Sequence, residues 1–167
     1  MKEISIRSDH GFVANDKFQD FERIHSMLLP RSFKSFVGLH DQPWLVENYF
    51  RFINIFAQSH MWPYKIMDGI DSRDLNFLGF NEGTYDGEKI FDSQDFDVYG
   101  HESVIAFGQS ANGDYICFDY RHDPATEEPR VVVMFHDAYD SNRKMLICPV
   151  SNSFEEFMDS LYKSEHE

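Results

Sequence analysis

Val104-Ile105-Ala106-Phe107 and Tyr115-Ile116-Cys117-Phe118-Asp119-Tyr120, separated by a segment containing Asn112-Gly113, are the residues on which the fold turns. Both runs are rich in β-branched and aromatic side chains, which suit a pleated and partly buried surface. Asn and Gly tolerate positive φ, so Asn112-Gly113 predicts a type I′ turn, whose twist matches that of two paired strands. Beyond this hairpin a polar loop with Pro124 and Pro129 leads to a strand-like run at Val131 to His136. A second polar loop leads to another at Met145 to Val150. An antiparallel sheet of at least four strands follows. Ser153 and Glu156 then form an S-x-x-E capping box, in which the hydroxyl accepts from a free helix amide and the carboxylate reaches back. Phe154, Phe157, Met158 and Leu161 fall at i, i+3, i+4 and i+7, so Ser153 to Lys163 reads as an amphipathic helix packed on the sheet.

Toward the amino terminus, Phe18, Phe21, Ile24 and Leu28 recur near helical spacing, predicting a helix over Asp16 to Leu28, with Asp16 and Gln19 placed to cap its start. Leu29-Pro30 interrupts it. Pro30 suits the start of a second short helix, Arg31 to Val37, with Phe33, Phe36 and Val37 facing inward. Trp44 to Gln58 carries both a helical spacing (Leu45, Phe52, Ile53, Phe56) and a strand-like density of aromatic and β-branched residues. The second is favoured for Tyr49 to Phe56. Met67 to Gly100 is rich in Asp, Asn and Gly, with turn signals at Asp68-Gly69, Glu82-Gly83 and Asp86-Gly87, and is expected to be loops with short strands.

At 167 residues the chain suits one domain over residues 1–167, hiding roughly two-thirds of the unfolded surface. With 17 Phe and 8 Tyr, that burial rests on rings. The 29 acidic against 15 basic residues give a formal charge of -14. Such a charge repels phosphate backbones and anionic membrane leaflets, which argues against nucleic-acid and membrane partners. It attracts a basic protein instead. Met1 to Asn15 has no secretory apolar stretch and no run approaches a membrane span, so the cytoplasm is expected. Cys117 and Cys148 each sit in an apolar run and read as buried free thiols rather than a disulfide or ligand pair.

Taken in order, Asn112-Gly113-Asp114-Tyr115-Ile116-Cys117-Phe118-Asp119-Tyr120, then Pro129 to Phe135, then Ser153-Phe154-Glu155-Glu156-Phe157 resembles the SUKH superfamily. Its pattern is a Gly-Asp turn entering an apolar strand that ends in Asp, a second strand after a Pro-containing loop, and a closing Ser-Phe-x-x-Phe helix. Leu29-Pro30-Arg31-Ser32-Phe33-Lys34-Ser35-Phe36 is similar to the family's Leu-Pro-x-x-(Phe/Tyr)-Lys-x-Phe element. After Val37 many members have an Asn-Gly-Gly turn, whereas this chain has Gly38-Leu39-His40-Asp41. The resemblance implies an α+β domain: a mostly antiparallel, twisted sheet of four to six strands flanked by helices, used for binding and not for catalysis. Bacterial members are typically immunity proteins that neutralise a toxin, often a nuclease. Fungal relatives regulate cell-wall glucan synthesis, which makes a regulatory scaffold the alternative role. A metal-dependent hydrolase is a distant third.

The strong enzyme signatures are missing: there is no G-x-S-x-G elbow, P-loop, G-x-G-x-x-G or paired C-x-x-C. No cofactor or metal is expected. The catalytic candidates are His136-Asp137 with Asp140, and His122-Asp123, but neighbours on a strand face opposite ways, which favours surface roles for both pairs. Glu82 to Gly87 superficially resembles a calcium loop, yet its twelfth position is Ser93, which supplies no bidentate carboxylate. The candidate partner-binding residues are Asp86, Glu88, Asp92, Asp95, Asp97 and Glu102, interleaved with Tyr85 and Tyr99 and with Phe91 and Phe96. Two readings stand for them. One is a solvated loop whose rings tuck into the core; the other is a surface whose carboxylates meet toxin Lys or Arg while an aromatic anchors the contact.

Overall fold

The computed structural model describes residues 1–57, 69–81 and 89–166 of the chain. Its elements begin with β1 (Ile6–Ser8), α1 (Asn15–His25), α2 (Arg31–Leu39), β2 (Trp44–Leu45), β3 (Tyr49–Ile53), β4 (Ile70–Asp74) and β5 (Asn76–Phe77). After a 3-10 turn at Ile90–Asp92 come α3 (Phe96–Tyr99), β6 (Val104–Gln109), β7 (Tyr115–Asp119), β8 (Arg130–Tyr139), β9 (Met145–Ser151) and α4 (Phe154–Asp159). Strands β5 to β9 form one antiparallel sheet in chain order, and β1 with β2 and β3 with β4 form two-stranded antiparallel ribbons. This is an α+β fold with a five-strand sheet.

The hairpin at its centre closes by a different turn from the one expected. Gly113 has φ 99, but Asn112 is not among the residues with positive φ. Gly113 N–H donates to Ser110 O at 3.0 Å and Ser110 N–H to Asp114 O at 2.8 Å, enclosing three residues. A three-residue loop needs only its last position left-handed, and Gly supplies that.

Helices α2 and α4 pack on one face of the sheet. The Phe33 ring meets Phe107, Phe118 and Phe154 edge-on at centroid distances of 5.7, 5.2 and 5.3 Å. Phe107 and Phe118 stack on each other at 4.2 Å. Offset stacking and edge-to-face contacts are the arrangements that ring quadrupoles favour. One cluster of buried apolar residues runs from Val13 to Leu161, and both cysteines are free and buried within it. Cys148 Sγ donates to Ile53 O at 3.1 Å, tying β9 to β3.

Several local expectations are corrected. Helix α1 ends early, because Ser26 takes a left-handed conformation with its N–H on Glu22 O. Ile24 is then 55% and Leu28 45% exposed, and Met27 and Leu29 fill the buried places instead. Neither Asp16 nor Gln19 caps α1, whose N-cap is Ala14 with no side-chain bond. The strand expected over Tyr49 to Phe56 stops at Ile53. The closing helix stops at Asp159, and the Ser153 hydroxyl accepts from Glu156 N–H, which is the hydroxyl half of the expected box.

Two polar clamps fix the strands. Asp119 at the end of β7 binds the Arg121 fork at 2.9 and 3.1 Å and Arg130 Nε at 2.9 Å, fixing β7 to β8. On β4, Asn54 N–H donates to Gly69 O at 2.7 Å, and antiparallel alternation then points the Ser72 backbone away from β3. Ser72 N–H is held by Asp71 Oδ1 at 2.8 Å and its carbonyl by Arg73 Nη1 at 2.8 Å.

Phe33→Ala is expected to lower stability by about 3–5 kcal/mol, because the void is walled by rigid rings. Ile24→Ala is expected to stay within about 0.5 kcal/mol of the parent. Urea unfolding midpoints of the two variants check the pair.

Candidate partner-binding surface

The acidic stretch from Asp92 to Glu102 contains no Lys or Arg. What orders it is an amide. Gln94 Nε2 donates to Ala106 O at 2.8 Å and to Ile90 O at 2.9 Å, while Gln94 Oε1 accepts from Ala106 N–H at 3.0 Å. The pairing of β6 with β7 shifts register between Ala106 and Gly108, so Gln94 satisfies backbone groups beside an irregularity in the ladder. Asp95 caps α3 by accepting from Val98 N–H at 3.3 Å. Gly100 closes that helix at φ 73, where an added Cβ would come within 2.9 Å of Lys144 Cα, so only glycine fits the angle and the space.

Asp92, Asp95, Asp97 and Glu102 are all exposed along this pinned segment. Val98 stands among them at 50% exposure. Tyr99 is 1% exposed, with its hydroxyl donating to Ser93 O and its ring 4.9 Å from Tyr115. Burial pushes its phenol well above the usual tyrosine range. For Tyr99 the ring therefore tucks into the core and leaves surface contact to its neighbours. Phe91 and Phe96 are half-buried against that core. The turn at Asp140–Lys144 lies beside Gly100 and brings Arg143 and Lys144 to one end of the acidic run. Tyr85, Asp86, Glu88 and the Glu82–Gly87 stretch lie outside the described residues.

The histidine candidates separate. His122 is exposed in a loop, and Asp123 beside it is occupied in that loop's own turn, accepting from Ala125 N–H at 3.1 Å. Asp140 likewise accepts from Asn142 and Lys144 amides at 2.8 and 3.0 Å. The Lys144 amide bond, with that of Asn142, holds its carboxyl below the ordinary range against an opposing effect of desolvation. His136, by contrast, finds a partner that motif reading missed: its Nδ1 lies 2.7 Å from Asp114 Oδ1. Asp114 is buried and also accepts from Arg73 Nε at 2.7 Å and Asn112 Nδ2 at 3.1 Å. Arg73 in turn lies 5.6 Å from the centroids of both Phe52 and Phe135, linking β3, β4, β8 and the hairpin loop. The Gly-Asp pair at the hairpin was the available signal, but nothing in sequence spacing joins positions 73, 114 and 136. Cys117 is fully buried, and desolvation raises its thiol well above the usual range, so it is a core residue and not a nucleophile.

A five-strand antiparallel meander with helices packed on it defines the chain as an α+β protein. The model of the SMI1 / KNR4 family (SUKH-1) matches residues 13–160, and the chain belongs to that family. The match carries through the middle third, where the motifs of the two ends do not reach. No curated protein matches the chain. Among the described residues no helix is long and apolar enough to cross a membrane.

Gln94→Ala is expected to cost about 1–3 kcal/mol by leaving the Ala106 amide and carbonyl without partners, and amide exchange at Ala106 checks it by accelerating. Asp119 gives a pH test. Burial alone would raise its carboxyl, but the hydrogen bonds and charge of Arg121 and the bond from Arg130 outweigh burial and hold it below the ordinary value. A depressed carboxyl stabilises the fold above its unfolded pKa of about 3.9, and loses that contribution as pH falls through its lower folded value. Asp119→Asn should therefore be clearly less stable than the parent at pH 7, with the gap in unfolding midpoint closing under acid.

Proposed function

We propose that the chain acts as a non-catalytic immunity protein in the bacterial cytoplasm, binding a basic cognate toxin directly and blocking it. The observation that carries this reading is the run Asp92, Asp95, Asp97 and Glu102, exposed on a segment that Gln94 and α3 hold in place, in a chain of charge -14. Membership of the SMI1 / KNR4 family supports a protein partner. The continuous core from Val13 to Leu161 supports a single working domain over residues 1–167.

Fixed carboxylates steer a cationic partner during approach and occupy its cationic groups on arrival, at little ordering cost because their backbone is already set. A nuclease toxin fits this chemistry, since holding phosphates requires a basic surface, and an acidic surface seated there excludes nucleic acid by shape and charge. Val98 gives the patch an apolar centre, the position where interface energy concentrates.

Replacing Asp92, Asp95 and Asp97 together by Asn removes three charges while keeping an N-cap at position 95, since Asn caps as well as Asp. The triple variant should bind a toxin encoded beside this gene with a slower association rate and a shallower salt dependence, and should rescue toxin-producing cells poorly. An unchanged association rate would move the interface off this segment. Failure of the parent chain to rescue growth against any neighbouring toxin would count against the immunity role itself.

A further inference from the structure

The ribbon of β3 and β4 has two edges, and side chains cover only the one at Ser72. Asn54 N–H bonds Gly69 O across the ribbon, so alternation turns the backbone groups of Tyr49, Arg51 and Ile53 away from β4. Tyr49 agrees with this, since its N–H and carbonyl exchange bonds with Tyr162 at 3.0 and 2.9 Å. Further along, Ile53 O accepts from the Cys148 thiol at 3.1 Å. Between these two anchors lie Arg51 N–H, Arg51 C=O and Ile53 N–H, which pair with no described residue. Three neighbouring main-chain groups are therefore open on a strand that is fastened on both sides of them.

The open edge borders an apolar groove. Ile53, Ile55, Ile70, Pro149 and Val150 line a space of about 600 Å3 between β3 and the end of β9, and Arg51 is the only charged residue on its described wall. Arg51 and Ile53 share one face of β3, because side chains alternate, and Ile70 stands opposite Ile53 in the ladder. Ile53, Ile55 and Ile70 are 69%, 61% and 57% exposed. Clustered apolar exposure of this kind marks contact surfaces. Arg51 Cζ lies 4.2 Å from the centroid of the Tyr162 ring, and among the described residues no carboxylate pairs with it. In a chain of charge -14, a cation held over a ring without a carboxylate is set for an anion from outside.

We propose that this edge takes the C-terminal tail of a partner protein by strand addition, with the terminal carboxylate on Arg51 and aliphatic side chains in the groove. Strand addition draws affinity from main-chain bonds and specificity from pockets for alternate side chains. The last residue of the tail donates its N–H to Arg51 O, and its carboxylate accepts from Arg51 N–H and the guanidinium. The carbonyl two residues earlier accepts from Ile53 N–H. Charge sets the direction. Tyr162 already fills the place opposite Tyr49, so a guest strand ends beside Arg51. An antiparallel guest ends there in a carboxylate, whereas a parallel one would bring a cationic amine against the guanidinium. The groove lies toward the opposite end of β9 from the Lys144 turn beside the acidic run, so the tail site and the toxin contact are separate surfaces and either can fail alone.

Fluorescence polarisation of the full chain with a dye-labelled hexapeptide ending in Val-Thr-Val tests the site. The free-acid peptide should bind saturably, and its C-terminally amidated twin about tenfold more weakly for want of one charge-assisted bond. Arg51→Gln should erase the difference between the two peptides. Ile53→Thr, which keeps a strand-forming residue, should weaken both. Bound peptide should also slow amide exchange at Arg51 and Ile53, which adhesion to an apolar patch alone would not do. Both substituted positions are exposed, so the variants keep the fold, and Ile24→Ala, exposed on α1, should bind like the parent. No binding by the parent, equal binding of acid and amide, or unchanged exchange at both amides overturns the site.

Discussion

Burying Phe33 edge-on among Phe107, Phe118 and Phe154 is the constraint on which the rest depends. One ring touches α4 and the two central strands while belonging to α2, so the helices cannot leave the sheet without opening the same cavity. Aromatic packing of this kind specifies angle as well as distance, because an edge-to-face contact is lost by rotation. The family's Leu-Pro-x-x-Phe element thereby becomes a mechanical statement. Ser26 ends one helix, Pro30 opens the next, and the short segment between them, with Leu29 buried, aims Phe33 at the sheet.

Around that apolar centre the polar interior is sparse, and the buried carboxylates of the described residues are all engaged. Asp114 gathers Arg73, Asn112 and His136, Asp119 gathers Arg121 and Arg130, and Asp41 accepts from the Phe80 and Asn81 amides at 2.8 and 3.0 Å. Asp114 and Asp41 join segments distant in sequence, and Asp119 ties neighbouring strands. Removing one partner would strand a charge in a low-dielectric site, which costs more than the pair contributes. The acidity of the chain thus has two uses, since some carboxylates fasten the fold and those of the Asp92–Glu102 run face solvent.

Strong local periodicity was legible in the sequence. The runs at Val104, Tyr115, Val131 and Met145 and the Ser153 cap each appear as expected, because the local preference and the tertiary demand agree there. Where they disagree, the sequence misleads: Ile24 and Leu28 have helical spacing, yet the left-handed Ser26 breaks the register and exposes both. Asn112-Gly113 invites one turn, but a three-residue loop satisfies the same strands with a single left-handed glycine. The acidic run was visible as composition, whereas its clamp by Gln94 on Ala106 was not, since nothing marks a glutamine as the partner of a register shift.

Among the described residues, the ribbon of β3 and β4 leaves a strand edge at Ser72, and both outward backbone groups of Ser72 are already taken by the side chains of Asp71 and Arg73. A chain arriving there in extended form would have to break two bonds before making any. Open edges are templates for misassembly, and this one is shut by its own neighbours. Recognition at that edge by strand addition, a recurring main-chain mode of peptide capture, is thereby disfavoured. Any partner met at that edge must be read through side chains, which vary freely without disturbing the sheet.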